Sequence, residues 1–333
     1  MAEITERPKP SAKDVAKHVL RHENTALIIV LVALIAGFGV ITNGLTTTRT
    51  NILNVLLQSS VRGVSSIGEA FVILSANIDL SVGGMGLFSA ILGSMLMTSK
   101  LYQNLVGYPV SPLIVIPVML LVGAAWGTLN GSLSSRVGIP SLIVTLGMWQ
   151  ITTGAAFNIS GGRGITGIPE AVAFFGQSSI VGVPMPIIIF IIVAVIAYFV
   201  LNHTTFGRHI YAVGGNPVSA WLSGINTKNT ILLVFIVSGF LSGLAAVIML
   251  GRTMASSMRT LQGLELDSIA SVCIGGISLM GGRGSLIGAI IGVLIIGVIN
   301  NSLSILGAGA DMVAITKGVI IITAVAIDYS RRR

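Results

Sequence analysis

One cysteine, Cys273, in 333 residues excludes an internal disulfide, and a lone thiol in an apolar run reads as a buried packing group. Charge is scarce too. Asp, Glu, Lys and Arg make up 9% of the chain against 53% hydrophobic residues, and the mean hydropathy is +0.94. A soluble globule of this size has no interior able to hide that much apolar surface, so composition points to a polytopic membrane protein. Sustained alternation of apolar and polar residues is also missing, which favours over a barrel an all-α helix bundle whose backbone satisfies itself in lipid. The four histidines, His18, His22, His203 and His209, fall in ends and loops without acids at ligand spacing. That leaves no metal site and no catalytic constellation.

The net charge of +8 comes from basic residues scattered singly and gathered only at the ends. Arg7, Lys9, Lys13, Lys17 and Arg21 precede the first apolar run, and Arg331, Arg332 and Arg333 close the chain. Positive ends favour the cytoplasm, so both termini are expected inside and the number of spans even. The first apolar stretch, 25–41, lacks a small-residue cleavage site and reads as a retained helix. Apolar runs predict about ten spans, near 25–43, 51–76, 81–99, 112–135, 139–158, 184–202, 229–250, 264–280, 284–306 and 311–329. The chain then divides into a cytoplasmic segment 1–24, a transmembrane domain 25–329 with a cytoplasmic loop 203–228, and a basic tail 330–333. This order places Arg136, Lys228 and Arg283 inside, and Arg49, Lys100, Arg163, Arg252 and Arg259 outside. Segments 51–76 and 264–280 read as short or glycine-broken, a mark of helices bordering a pathway.

Forty-one glycines suit membrane helices that pack backbone to backbone. Gly123, Gly127 and Gly131 repeat every fourth residue, as do Gly284, Gly288 and Gly292, and Gly239 with Gly243 gives a shorter case. Such stripes face either another helix of the chain or a second subunit. A weak echo links Phe71–Gly93 to Ser271–Gly292, with Gly83, Gly84 and Gly86 set against Gly281, Gly282 and Gly284. Two related halves would place a pathway at their interface.

Between two long apolar runs lies a polar, helix-forming island, Thr205 to Asn226. Asn216 can cap a helix, Pro217 fits its first position and Gly224 can end it after about two turns. A short helix across the end of a membrane bundle has the form of a docking knob for a soluble partner. The segment I-D-L-S-V-G, Ile78 to Gly83, sets a carboxylate and a hydroxyl between apolar runs, where Asp79 or Ser81 either caps the third span or positions a break lining the path. Glu69 stands mid-segment, as a functional carboxylate or as the partner of Lys317 or Arg62. Glu265 and Asp267 suit the positive end of a helix, and Gly275 with Gly276 allows close approach. The sequence G-G-R-G, at 161–164 and 281–284, follows no strand and is not a dinucleotide fingerprint.

I-D-L-S-V-G, Asn130–Gly131 followed by I-P-S-L-I-V-T-L-G at 139–147, the island G-R-x-I-Y-A-x-G-G-N-P ending in S-G-I-N, and the run from Gly263 to Ser285 occur in one order. Together they resemble the membrane permease of a bacterial ABC sugar importer of the ribose, galactose and arabinose type, within the branched-chain amino acid permease superfamily. The likeness runs from the second span to the C-terminus. It implies a core of two permease subunits, identical or not, with cytoplasmic ATPase subunits and an extracytoplasmic binding protein that delivers a monosaccharide across the inner membrane. ATP and Mg would be bound by the ATPase, and this chain, which lacks G-x-x-x-x-G-K-[ST], would carry no cofactor and no catalysis. Pro217–Ser223 resembles the coupling helix, led by Gly207, Arg208, Tyr211, Gly214, Gly215 and Asn216, with Ala220 within it and Gly224 behind. The chain departs from the usual N-P-E-A-A-R by carrying Val218, Ser219 and Trp221, which makes the indole either a docking anchor or a headgroup anchor. Ala76–Asn77 stand where such permeases usually have two glycines. Alternating access would move the coupling helix and spans 184–202 and 229–250. Pathway candidates, chosen by polarity, are Glu69, Ser75, Asn77, Asp79, Ser81, Asn130, Thr145 and Asn300, a set expected to hold sugar only weakly. The rivals are an ABC permease for a furanose-like signal or a branched-chain amino acid, and an ion-coupled transporter using Glu69 and Lys317.

Overall fold

The structure is a computed structural model and describes residues 23–330. The basic residues Arg7 to Arg21 and Arg331 to Arg333, with His18 and His22, lie outside the described residues. In chain order the helices are α1 (Glu23–Ile41), α2 (Arg49–Leu74), α3 (Val82–Met97), α4 (Pro112–Ser132), α5 (Ser141–Ser160) and α6 (Met185–His203). They continue with α7 (Thr205–Gly215), α8 (Pro217–Leu222), α9 (Thr227–Thr253), α10 (Leu264–Ile274), α11 (Leu286–Ile305) and α12 (Ala310–Ser330). A two-stranded antiparallel hairpin, Ser179–Ile180 with Val183–Pro184, stands between α5 and α6.

Each predicted span contains a helix, and the caps explain where several begin. Thr48 accepts from the Asn51 amide, Ser111 precedes Pro112 at the first position of α4, and Ser285 accepts from the Gly288 amide at 3.1 Å. Six helices are long and apolar enough to cross a membrane: α1, α4 with its π-helical extension Leu133–Val137, α5, α6, α9 and α11. The protein is therefore an integral membrane protein of mainly helical build. Helix α10 is different, since 11 residues rise only about 16 Å against a hydrocarbon core of about 30 Å. The expectation of a broken 51–76 segment is corrected: α2 runs unbroken for 26 residues, and the irregular backbone comes after it.

Helices α2 and α9 form the centre. From Gly63 to Leu74 every residue of α2 is buried. Helix α9 packs on α4, α2 and α3, while α10 packs on α11 and α2. The α4 stripe is what lets α9 approach. A Cβ on Gly123 or Gly127 would run into the backbone at Gly239 or Phe235 of α9, so this stripe is an intrachain contact. Gly288 and Gly292 rest in the same way on Gly275, which closes α10, and on Ser271 within it. Gly284 leaves that stripe, because it lies before α11 in an extended turn at φ +122°.

The echo between the halves holds at the helix ends and fails at the glycines. Helix α2 closes through Ala76 N–H to Ile73 C=O at 2.9 Å and Asn77 N–H to Val72 C=O at 3.2 Å. Helix α10 closes through Gly276 N–H to Cys273 C=O at 3.0 Å and Ile277 N–H to Val272 C=O at 3.2 Å. These are the same paired bonds around a left-handed residue, Ala76 at φ +62° and Gly276 at φ +83°. Gly83, Gly84 and Gly86 then sit within α3, whereas Gly281 and Gly282 are left-handed turn residues, so those glycines are not counterparts.

Candidate functional site

The island folds as two helices, and the lead-in that sequence treated as an approach is itself α7. Thr204 caps α7 through the Gly207 amide, Asn216 breaks the helix in extended backbone and caps α8 through the Ser219 amide at 3.0 Å, and Gly224 reverses the chain at φ +84°. Pro217 takes the first position of α8. Gly207 and Gly214 are buried, and a Cβ on Gly214 would strike the Leu74 carbonyl and the Gly282 amide. The Tyr211 hydroxyl donates to the Gly284 carbonyl at 3.1 Å, and burial pushes its phenol above the usual range. Through these contacts α7 is seated on the end of α2 and on the turn before α11. Arg208, Gly215, Asn216, Ser223 and Gly224 are exposed and Ala220 faces inward. Val218, Trp221 and Leu222 are 64%, 65% and 72% exposed on α8, three apolar side chains presented at the bundle end.

Most of the pathway candidates meet in one place, packed instead of lining a channel. The Asp79 amide donates to Glu69 Oε1 at 3.1 Å, and the Asp79 carboxylate accepts from the Ser81 amide at 3.0 Å, Ser81 Oγ at 2.5 Å and Ser238 Oγ at 2.9 Å. Asn130 Nδ2 then donates to Ser81 Oγ at 2.7 Å. Thr145 Oγ1 donates to the Ile78 carbonyl at 3.2 Å, which ties the break to α5. Asp79 thus steadies the start of α3 by taking the Ser81 amide, while Ser81 itself makes no side-chain cap. Ser75 bonds back to the Val72 carbonyl at 2.7 Å, and Asn77 bonds to the Ser75 carbonyl at 3.0 Å and hydroxyl at 3.1 Å. Glu69, Asp79, Ser81, Asn130 and Thr145 are fully buried.

The expected partnership of Glu69 with Lys317 or Arg62 does not form. Both cations hold Asp267, Arg62 Nε at 3.0 Å and Lys317 Nζ at 2.6 Å, because Asp267 in the first turn of α10 faces α2 and α12. Beside this triad a cavity of about 500 Å³ lies between α2, α10, α11 and α12. Asn300 is the one pathway candidate that lines it, together with Gln58, Arg62, Ser304 and Lys317. Asn51 Nδ2 bonds Asn301 Oδ1 at 2.8 Å, which places this part of α11 beside the start of α2. The cavity therefore sits toward the end of the bundle opposite α7 and α8. Sequence reading missed Ser238 and Gln58, which look like ordinary polar residues on apolar helices. It had both cations but gave them the wrong carboxylate. Cys273 is half-buried on α10, and no group of metal-ligating side chains is present among the described residues.

The family profile described as the permease component of branched-chain amino acid transport systems matches residues 51–325. The chain is 38% identical to the ribose import permease protein of Haemophilus influenzae over 282 residues, 84% of each chain. It is 38% identical to the D-allose transport system permease protein of Escherichia coli over 300 residues, covering 90% of this chain and 89% of that one. To the fructose import permease protein of Rhizobium meliloti it is 35% identical over 326 residues, covering 95% and 88%. No solved structure matches the chain. Matched across most of its length by profile and relatives alike, this helical membrane protein belongs to the family of permease components typified by branched-chain amino acid transport and shared by these sugar permeases.

Proposed function

We propose that this chain is the permease subunit of an ATP-binding-cassette importer and forms the membrane path for a monosaccharide. A separate extracytoplasmic binding protein delivers the sugar, and a separate ATPase drives the cycle. Ten segments cross the bacterial cytoplasmic membrane, α1 to α6, α9, α11, α12, and α10 completed by the irregular chain 275–280 that follows it; both termini and the α7–α8 knob lie on the cytoplasmic side, and two permease subunits make the core. The relatives named for ribose, allose and fructose support the cargo class. The observation that carries the division of labour is α8, whose exposed Val218, Trp221 and Leu222 sit on six residues flanked by polar turns, too short to span lipid. Exposed apolar side chains on a rigid knob fit a groove on a soluble partner, and an aromatic at the centre is the usual anchor.

Movement of α8 reaches α7, and α7 presses on Leu74 and Gly282 through Gly214. ATP-driven closure thus bears on the end of α2 and the turn before α11, in addition to α6 and α9. Of the charges the ion-coupled rival would use, Lys317 is bound to Asp267 and Glu69 accepts from the Asp79 amide, which gives the two no shared site.

Co-purification from native membranes, wild type beside Trp221→Ala, tests the reading. An ATPase is expected with the wild type and about tenfold less of it with the variant, in line with loss of an interface anchor. Thermal stability should stay within about 0.5 kcal/mol, as for an exposed side chain. Recovery of the chain alone, with gradient-driven uptake intact in proteoliposomes, would overturn it.

A further inference from the structure

Three helices around the 500 Å³ cavity bring charge to one spot: Arg62 from α2, Asp267 from α10 and Lys317 from α12. One carboxylate holds two cations. Two neighbours extend the group without changing its sign, because Arg252 lies close enough to be repelled by Arg62, and Glu265 close enough to be repelled by Asp267 and attracted by Lys317. Three cations against two carboxylates leave one positive charge. The two acids also stand behind the wall, so the charged residues that line the void are Arg62 and Lys317 alone.

The polar groups at the wall are incompletely used. Arg62 Nη1 is buried without a hydrogen-bond partner, and Asn300, 5% exposed, has neither amide atom bonded. Gln58, one helical turn before Arg62, adds a second amide. A buried donor or acceptor left unpaired is costly, so a guest that draws these groups toward the void and pairs them is held at that site. A neutral sugar pairs the amides and leaves the charge. A guest with a carboxylate pairs both, since a guanidinium offers a planar fork to two carboxylate oxygens and an ammonium adds a third donor. The volume lies within the range of small-molecule pockets, about 300–1,000 Å³.

We infer that this cavity takes an anionic polyol, a sugar acid whose carboxylate sits between Arg62 and Lys317 and whose hydroxyls meet Asn300 and Gln58. The direction of passage rests on the importer reading above: with α8 on the cytoplasmic side, the cavity lies toward the side from which cargo arrives. The site then selects by charge on this chain, in addition to whatever selection the binding protein exerts.

The test uses the full chain in lipid nanodiscs and two probes of one ring shape, D-galacturonate and D-galactose, compared by saturation-transfer NMR. Galacturonate is expected to bind about tenfold more tightly, as a charge-assisted pair replaces a neutral contact. Arg62→Gln should abolish that preference. Because Arg62 also holds Asp267, a second variant fills the void without touching the triad: Gly318 lines the cavity, and a Cβ there meets nothing within 4 Å. Gly318→Leu should remove binding of both probes while the protein elutes and melts as wild type. Equal binding of the two sugars by the wild type, or a preference for galacturonate that survives Gly318→Leu, overturns the inference. Its failure is separable from that of the importer reading. An ATPase recovered without any carboxylate preference sinks only the cavity assignment, and a preference without an ATPase sinks only the importer.

Discussion

Two buried polar groups flank α2, and they are built to opposite ends. Around Glu69 and Asp79 the hydroxyls of Ser81 and Ser238 and two backbone amides close on the carboxylates, Asn130 braces Ser81, and no basic side chain forms an ion pair with either acid among the described residues. Around Asp267 two cations crowd one acid, an amide is left unpaired, and a void stands alongside. The first group is packed on all sides, with Glu69 Oε2 and Asn130 Oδ1 left unpaired but no void beside them among the described residues, and so acts as a lock between α2, α3, α4 and α9. The second leaves capacity over beside a void, and the two together are the condition for receiving a guest. Polarity inside a membrane marks both, and only the cations and the void beside the second tell them apart.

The sharpest way to break this contrast is Asp267→Ala, which strands Arg62 and Lys317 beside each other. A loss of roughly 3–5 kcal/mol is expected, as for a half-deleted buried pair, read as a fall in thermal midpoint in detergent. An unchanged midpoint would mean that water already screens the triad, and the contrast with the lock would weaken. In the lock, Asp79→Ala removes the acceptor for two hydroxyls and one amide, and roughly 1–3 kcal/mol should be lost. Glu69→Gln keeps an acceptor for the Asp79 amide and should cost less than Asp79→Ala in the same melt. The reverse order would make Glu69, and not Asp79, the centre of the network. The smallest effect sharpens the comparison between the two matching helix ends. Ala76 adopts the left-handed turn that Gly276 adopts freely, so Ala76→Gly should raise stability by about 1 kcal/mol, and a destabilised variant would show that the methyl group packs usefully against Gly281.

Legibility differed along the chain for physical reasons. The knob was readable because capping is local: Asn216, Pro217 and Gly224 act on amides and dihedrals within a few residues of themselves, and α8 begins and ends where they direct. Helix α7 was missed as a separate element because its cap, Thr204, lies against the apolar run of α6 and gives no composition shift. Candidate pathway residues were chosen by polarity, a property that locks and receptors share. Glu69, Asp79, Ser81, Asn130 and Thr145 thus fell together in a packed core, while Asn300 fell beside a void. The glycine echo misled because glycine serves two needs, close helix contact in α3 and positive φ before α11, and the letters do not distinguish them.

By itself the sequence determined what depends on near neighbours and on bulk transfer to lipid. That covers a helical membrane protein, the approximate position of each long helix, the capped knob and the resemblance to sugar permeases. Only the tertiary structure decided which carboxylate Arg62 and Lys317 hold, that the glycine stripe of α4 meets α9 of the same chain, and that one polar cluster is filled while the other is open. Those outcomes depend on which helix faces which across fifty residues of chain or more. A side chain's own chemistry sets how strongly it pairs, and packing alone sets with whom.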